Sequence, residues 1–314
     1  MPETELFYEI ASLATEQNNP RTRNIDTAST LEILELINSE DSLVAEAVRR
    51  EIPSVAIAVE RIVDSFKQGG RLFYFGAGTS GRLGIIDAAE CPPTFGVPSE
   101  MVQGIIAGGK DAVFKAQEGT EDSQENGAKE IIERDIAPPD LVCGIAASGR
   151  TPFVRGALAE ARRRGVFTIF ISTSSSEKIL EMNIEADVMI CPQVGPEVIA
   201  GSTRMKSATA QKLVLNMLTT ASMIRLGKTL GNVMVDLQLT NAKLRERAKR
   251  IIMTLADVSY DEAERTLIDS SGNVKTALVM LLSEISAAEA RKALDESDGF
   301  IKIALRKFGR NKDY

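Results

Sequence analysis

The chain has 314 residues, 44% of them hydrophobic and 26% charged, and a formal charge of −7. That length can bury a sizeable core and suits two domains, one of them small, while the acidic balance argues against non-specific nucleic-acid binding, which rests on Lys and Arg neutralising phosphates. Histidine is absent, which excludes Ser-His-Asp and Cys-His catalysis, argues against a transition-metal site and leaves proton transfer to Glu, Asp, Lys, Tyr or Cys.

Met1-Pro-Glu-Thr-Glu5 is acidic and has no apolar core, so no secretory leader is expected. No run approaches the roughly 18 apolar residues of a membrane span. The segment Glu16–Asn24 has no apolar periodicity and reads as an extended arm. Ser29-Thr-Leu-Glu32 has the form of a capping box opening a helix over Thr30–Ile37. Helices over Asp41–Arg49 and Ser54–Gln68 follow, the second ended by Gly69-Gly70.

From residue 71 the pattern alternates. Strands are predicted at Arg71–Phe75, Val102–Ala107, Leu141–Ala146, Phe167–Ser172 and Val188–Cys191, with helices at Pro152–Arg164 and Arg204–Leu226 among the intervening segments. Short apolar strands separated by helices imply an α/β fold: a doubly wound, mostly parallel five-stranded sheet sandwiched by helices. Beyond residue 240, Asn241–Ala256 reads as a charged connector helix. Tyr260–Ser270, Val274–Glu284 and Ser286–Asp295 then read as a small three-helix unit with Leu278, Leu281 and Leu282 in its core. The basic tail Arg306–Lys312 reads as a solvated end. The expected domains are a helical N-terminal extension (1–50), the α/β domain (51–240) and the connector with its three-helix unit (241–314). Cys91, Cys143 and Cys191 are odd in number and widely spaced, and read as reduced core residues rather than a disulfide framework or zinc site.

Function concentrates in the loops after the strands, because open parallel sheets bind ligands beyond their strands' carboxyl ends. Gly76-Ala-Gly-Thr-Ser-Gly-Arg82 follows the first strand and opens a helix carrying Glu90, which Pro92-Pro93 should stop. A Walker A loop is excluded because no Lys follows the glycines, and the lone G-x-G-x-x-G match is a weak dinucleotide signal. Glycines permit close backbone approach, Thr79 and Ser80 add hydroxyls, and a helix N-terminus favours an anion, so the loop reads as a phosphate cradle. Ala147-Ser-Gly-Arg-Thr-Pro152 repeats that chemistry after the Leu141 strand, and Gly195–Arg204 does so before the long helix. One hydroxyl cluster is usually capping; two at equivalent junctions read as converging on one phosphate. The candidate acids are Glu90, Glu118, Glu121 and Asp122.

The motifs Gly-Ala-Gly-Thr-Ser-Gly-Arg, Ala-Ala-Ser-Gly-Arg-Thr-Pro and Gly-Ser-Thr-Arg-Met-Lys-Ser resemble the sugar isomerase domain superfamily. Glu16-Gln-Asn-Asn-Pro20, Asp26–Leu31, Asp87-Ala-Ala-Glu-Cys-Pro-Pro93, Glu118–Ser123 and Gly201–Lys206 resemble, more closely, the N-acetylmuramic acid 6-phosphate etherase family, over about residues 10–308. The last helices are similar to ubiquitin-associated domains. The resemblance implies a cytoplasmic, cofactor-independent lyase, a homodimer, that cleaves a D-lactyl ether by elimination and water addition, in cell-wall amino sugar catabolism and recycling. It carries Glu90 over as the acid that protonates the departing ether oxygen and Glu121 as the second acid/base residue. One of these carboxyls is expected to be partly buried, so that it holds a proton near neutrality. By the same resemblance Ser80, Ser148 and Thr151 bind the 6-phosphate with Thr79 and the loop amides. Gly149 and Ser202 complete the expected substrate-binding set, and Lys206 is a candidate for the sugar or lactyl carboxylate. Ala147 stands where related isomerases often bring another hydroxyl. The alternatives are an aldose–ketose phosphosugar isomerase and a non-catalytic sugar-phosphate sensor, which would keep the hydroxyls without needing the two acids.

Overall fold

A computed structural model describes residues 13–239 and 241–310. The five apolar runs are strands β1 (Leu72–Gly76), β2 (Val102–Ile106), β3 (Leu141–Ile145), β4 (Phe167–Ile171) and β5 (Val188–Ile190). Every pairing is parallel, in the order β2-β1-β3-β4-β5. β1 and β3 are buried at every position, as continuous apolar strands must be when helices cover both faces. On one side Phe73, Phe75, Val142 and Phe170 pack with Phe153, Val154, Ala157 and Leu158 of helix α6 (Pro152–Arg163) and Ile131 of helix α5 (Gln124–Glu133). Each of the larger side chains contributes about 1.5–3 kcal/mol by leaving water. The strand order reverses between β1 and β3, which places the loops after those two strands at the crevice where such sheets take ligands.

The two helices expected over Thr30–Ile37 and Asp41–Arg49 are one, α1 (Thr30–Arg50), opened by the Ser29–Glu32 capping box. Helix α2 (Ile52–Lys67) follows with Val55, Ile62, Val63 and Phe66 buried. Helix α3 (Gly78–Phe95) is not stopped by its prolines and carries Pro92 and Pro93 inside it. The prolines withhold donors from the carbonyls of Ala88 and Ala89, and the helix continues with Cys91 and Phe95, one turn apart, both buried. Three short helices without a sequence expectation complete the series: α4 (Gly109–Phe114), α5 and α7 (Ser176–Glu181). Helix α8 (Lys206–Arg225) is the long one after β5.

The arm also differs from its expectation. It forms tight turns at Ala14–Glu16, Pro20–Thr22 and Ile25–Thr27. Asn19 Nδ2 donates to the Pro196 carbonyl (3.3 Å), Thr22 Oγ1 donates to that of Val198 (2.8 Å), and the Thr15 carbonyl accepts from the Gly201 amide (2.7 Å).

Internal contacts divide the chain into two compact units, one running through Ala89 and again over Glu100–Thr219, the other made of Glu90–Ser99 and the chain from Thr220 onward. The second unit holds a short antiparallel pair, β6 (Thr229–Leu230) with β7 (Val233–Met234), and helices α9 (Ala242–Ala256), α10 (Tyr260–Asp269), α11 (Val274–Ser283), α12 (Ala287–Asp295) and α13 (Ile301–Arg306). Leu278 is buried in its core with Ile252, Leu267 and Leu294, and Leu281 and Leu282 pack against it half-buried. The tail is solvated over its described part, Arg306–Arg310, all of it exposed; α13, which ends at Arg306, buries Ile301, Ala304 and Leu305 ahead of it, and Arg310 pairs with Glu284 at 2.8 Å. Residues 311–314 lie outside the described residues.

All three cysteines are buried and outside any disulfide, Cys143 in β3, Cys191 just after β5 and Cys91 in α3. Burial pushes the Cys191 thiol up to about 12 and moves Cys143 in the same direction, away from the thiolate that a nucleophile needs.

Candidate active site

The turn from β1 into α3 closes only on glycine. A Cβ on Gly76 would stand 2.6 Å from the Gly81 nitrogen, and one on Gly81 would stand 2.6 Å from Ile106 Cγ1. The Gly81 amide donates to the Ala77 carbonyl at 3.2 Å. The amides of Gly78, Thr79 and Ser80 therefore fall in the first turn, where no earlier carbonyl of the helix can accept them and the helix dipole favours an anion. Thr79 is half-buried and Ser80 is buried. The Ser80 hydroxyl donates to Gln211 Oε1 on α8 at 2.9 Å.

The loop after β3 is held by the exit of β4. The Ala147 carbonyl accepts from Ser172 Oγ (2.9 Å), the Thr173 amide (2.9 Å) and Thr173 Oγ1 (3.0 Å), and the Ser148 carbonyl accepts from Ser174 Oγ (3.1 Å). Thr151 is the N-cap residue of α6, yet its hydroxyl makes no capping bond. Ser148 Oγ accepts only a long 3.4 Å bond from the Arg150 amide. Helix capping thus does not account for these hydroxyls, and both residues stay half-exposed. This scaffold was not expected from the sequence; the run Thr173–Ser176, directly after the strand predicted at Phe167–Ser172, is the signal that could have found it.

Gly149 turns the loop at φ +84°, and a Cβ there would collide with Ile179 Cδ1. Gly149→Ala should therefore cost about 2 kcal/mol through left-handed strain and overlap. A denaturation midpoint reads the loss.

The third loop takes a different role. Glu197 is fully buried and accepts the Lys206 and Ser207 amides, both at 2.9 Å, so a carboxylate of the chain itself caps α8. Ser202 sits half-buried in the turn before α8, its carbonyl accepting the Met205 amide at 3.2 Å. Lys206, expected to meet a substrate carboxylate, is 0% exposed, and its ammonium donates to Glu40 Oε2 (2.6 Å) and the Val194 carbonyl (2.9 Å). Glu40 is also bound by Arg21 through two guanidinium nitrogens.

Glu90 lies in the later turns of α3 and is exposed; Glu121 lies in a short turn at Thr120–Asp122, after Gly119, and is exposed as well. The partial burial expected for one of them is absent. Arg82, in the first turns of α3, donates to the carbonyls of Val113 (2.8 Å) and Ala112 (2.7 Å), fixing the end of α4 just before the Glu118–Ser123 segment. Asp87 is buried between Tyr74, Asn216 and Thr219. Burial raises its pKa against those hydrogen bonds.

Over 281 residues, 89% of each chain, the sequence is 58% identical to an N-acetylmuramic acid 6-phosphate etherase of Salinibacter ruber. This chain belongs to that family. The etherase of Clostridioides difficile is 54% identical over 87% of this chain and 89% of its own. Residues 54–162 match the family described as the glucokinase regulatory protein N-terminal SIS domain, and residues 231–276 match the C-terminal lid domain of the same protein. Among solved structures, a putative phosphosugar isomerase from Bacteroides fragilis has a TM-score of 0.45 and 21% identity, covering 63% of this chain and 91% of that one. As a member of the etherase family the chain is an enzyme of the lyase type, and no described helix is long and apolar enough to cross a membrane.

Proposed function

We propose that this etherase cleaves the D-lactyl ether of N-acetylmuramic acid 6-phosphate, releasing D-lactate and N-acetylglucosamine 6-phosphate. The observation that carries the reading is 58% identity spanning 89% of both chains. The β1 and β3 loops support it, with hydroxyls and first-turn amides on adjacent strands of one sheet.

In this reading Thr79, Ser80, Ser148, Gly149 and Thr151 hold the 6-phosphate, which anchors the sugar at its far end, and Ser202 contributes to substrate binding. On the open-chain sugar the C2 proton is acidic because it lies beside the aldehyde. A base takes that proton, and the C3–O bond breaks with its electron pair leaving on the ether oxygen. An acid protonates that oxygen, and lactate departs. Water then adds at C3 while a proton returns to C2, so the sum is one water consumed and one ether cleaved. Glu90 serves as the acid toward the ether oxygen and Glu121 as the partner base. Both side chains are exposed. No cofactor enters the balance.

The enzyme acts in the cytoplasm as a homodimer; the pairing, not the location, draws support from Leu31 and Leu34, 66% and 59% exposed on consecutive turns of α1. The direct test is D-lactate release from N-acetylmuramic acid 6-phosphate. Release is expected with the phosphorylated sugar, and the unphosphorylated sugar should react at least a hundredfold more slowly at equal concentration. Conversion to a ketose phosphate without lactate would replace this reading with isomerisation.

A further inference from the structure

One buried donor near the phosphate loops has no use in the scheme above. Gln211 is 0% exposed on α8; its Oε1 accepts the Ser80 hydroxyl, and its Nε2 has no hydrogen-bond partner among the described residues. Buried amide nitrogens are rarely left so, because an unmade bond forfeits the hydration the group had in water. Its position is informative. Ser207, one turn earlier on the same helix face, shares a hydroxyl–hydroxyl hydrogen bond of 3.0 Å with Thr173, whose own proton goes to the Ala147 carbonyl. One face of α8 thus reaches both hydroxyl-bearing loops, the first through Gln211 and the second through Ser207.

We propose that Gln211 is a positioning residue that sets the Ser80 hydroxyl for phosphate recognition, an inference that rests on reading these loops as the phosphate site. Ser80 has a single hydroxyl proton, and it is committed to Gln211 Oε1. A phosphate dianion offers only acceptors, so Ser80 contributes to binding only when that proton turns to the phosphate. Gln211 then faces a lone pair of Ser80. Rotating its terminal amide by half a turn sets Nε2 against Ser80 Oγ and employs the idle donor. The bound state carries a relay in which Gln211 Nε2–H donates to Ser80 Oγ and Ser80 Oγ–H donates to a phosphate oxygen. Each bond polarises the next. The side chain reads the charge state of the site from beneath without touching the ligand.

The test uses the full chain and four variants, Gln211→Met, Gln211→Glu, Ser80→Ala and the Gln211→Met/Ser80→Ala double. KM and kcat are measured for lactate release, with a dissociation constant for N-acetylglucosamine 6-phosphate and a thermal midpoint. Gln211→Met should raise KM and that dissociation constant about tenfold, with kcat falling less than threefold. In the Ser80→Ala background the same change should add less than twofold. Gln211→Glu keeps the acceptor and the length and can donate only while protonated, which burial favours near neutrality, so its dissociation constant for the product should rise relative to the parent as pH climbs from about 6 to 9 and approach that of Gln211→Met. Multiplicative effects in the double variant, a loss confined to kcat, or parental binding by Gln211→Glu at pH 9 would each overturn the proposal. Should Gln211→Met fail to fold, the Gln211→Glu dissociation constant at pH 9 decides alone. Should the parent bind the product yet release no lactate, the etherase reading fails, while the dissociation constants still test Gln211.

Discussion

Replacing Glu90 with Gln should lower kcat for lactate release by about 10²–10⁴, the span that a positioned general acid contributes, and leave KM within a few-fold. The amide keeps the size of the side chain and removes only its capacity to give a proton. Glu121→Gln should produce a loss of the same order for the complementary reason, since no proton leaves C2 without a base. The two variants should part company in heavy water. Substrate recovered from Glu90→Gln should carry deuterium at C2, because deprotonation continues while the ether oxygen has no acid to leave with. Substrate recovered from Glu121→Gln should not. Proton magnetic resonance of the C2 position reads this directly. Lactate release within tenfold of the parent in either variant would remove that residue from the chemistry.

The largest expected effect on stability lies at Glu40. Glu40→Leu leaves the fully buried ammonium of Lys206 with the Val194 carbonyl as its remaining partner. Breaking one side of a buried ion pair costs about 3–5 kcal/mol, whereas replacing both sides with apolar groups is often neutral. Glu40→Leu should therefore lower the melting temperature by roughly 10 °C, and Glu40→Leu/Lys206→Met should recover most of that loss. Additive losses in the double variant would contradict this account of the pair. The pH dependence has a definite sign. Hydrogen bonding from Arg21, opposed by burial and reinforced by Lys206 and Asn19, holds the Glu40 carboxyl at about 2, against an ordinary 4.5. A depressed carboxyl contributes its full stability above the unfolded value and loses it as pH falls toward the folded one. The gap in urea midpoint between the parent and Glu40→Gln should hold steady above pH 4.5 and shrink between 4.5 and 2.

The same pair shows where local patterns stop informing. The buried stripe of α1 runs through Glu40, Val44, Ala47 and Val48 at helical spacing. Read as letters, Asn38-Ser-Glu-Asp41 interrupts an apolar pattern, so two helices were expected where one forms. The interruption disappears only with Lys206 in place, 166 residues away, and no window of sequence contains both. Lys206 was misread from the same cause: a lysine in a motif suggests a ligand contact until its partner is known. Pro92 and Pro93 were weighed by their missing donors, while the buried Cys91 and Phe95 that carry the helix past them count only in the folded chain.

What was legible was what depends on short spans. The five strands are continuous apolar runs bounded by Gly, Pro and polar residues, and each lies within a residue or two of its expected limits. The positions of the two glycine- and hydroxyl-bearing loops were legible because those residues cluster at strand ends, and strand order then sets the β1 and β3 loops side by side at the reversal. Gln211 was not legible. A glutamine in the second turn of a long helix carries no signal until Ser80 is seen against it.

The central claim is that the ether breaks on its sugar side, and the measurement that reaches it most directly is oxygen tracing. Turnover of N-acetylmuramic acid 6-phosphate in oxygen-18 water, followed by borohydride reduction and fragmentation of the sugar, separates label at C3 from the oxygen that C1 exchanges through its aldehyde. Elimination and hydration predict heavy oxygen at C3 and none in the hydroxyl of D-lactate, which keeps the original ether oxygen. Heavy oxygen in the lactate hydroxyl, with C3 unlabelled, would mean displacement at the lactyl carbon and would contradict the account.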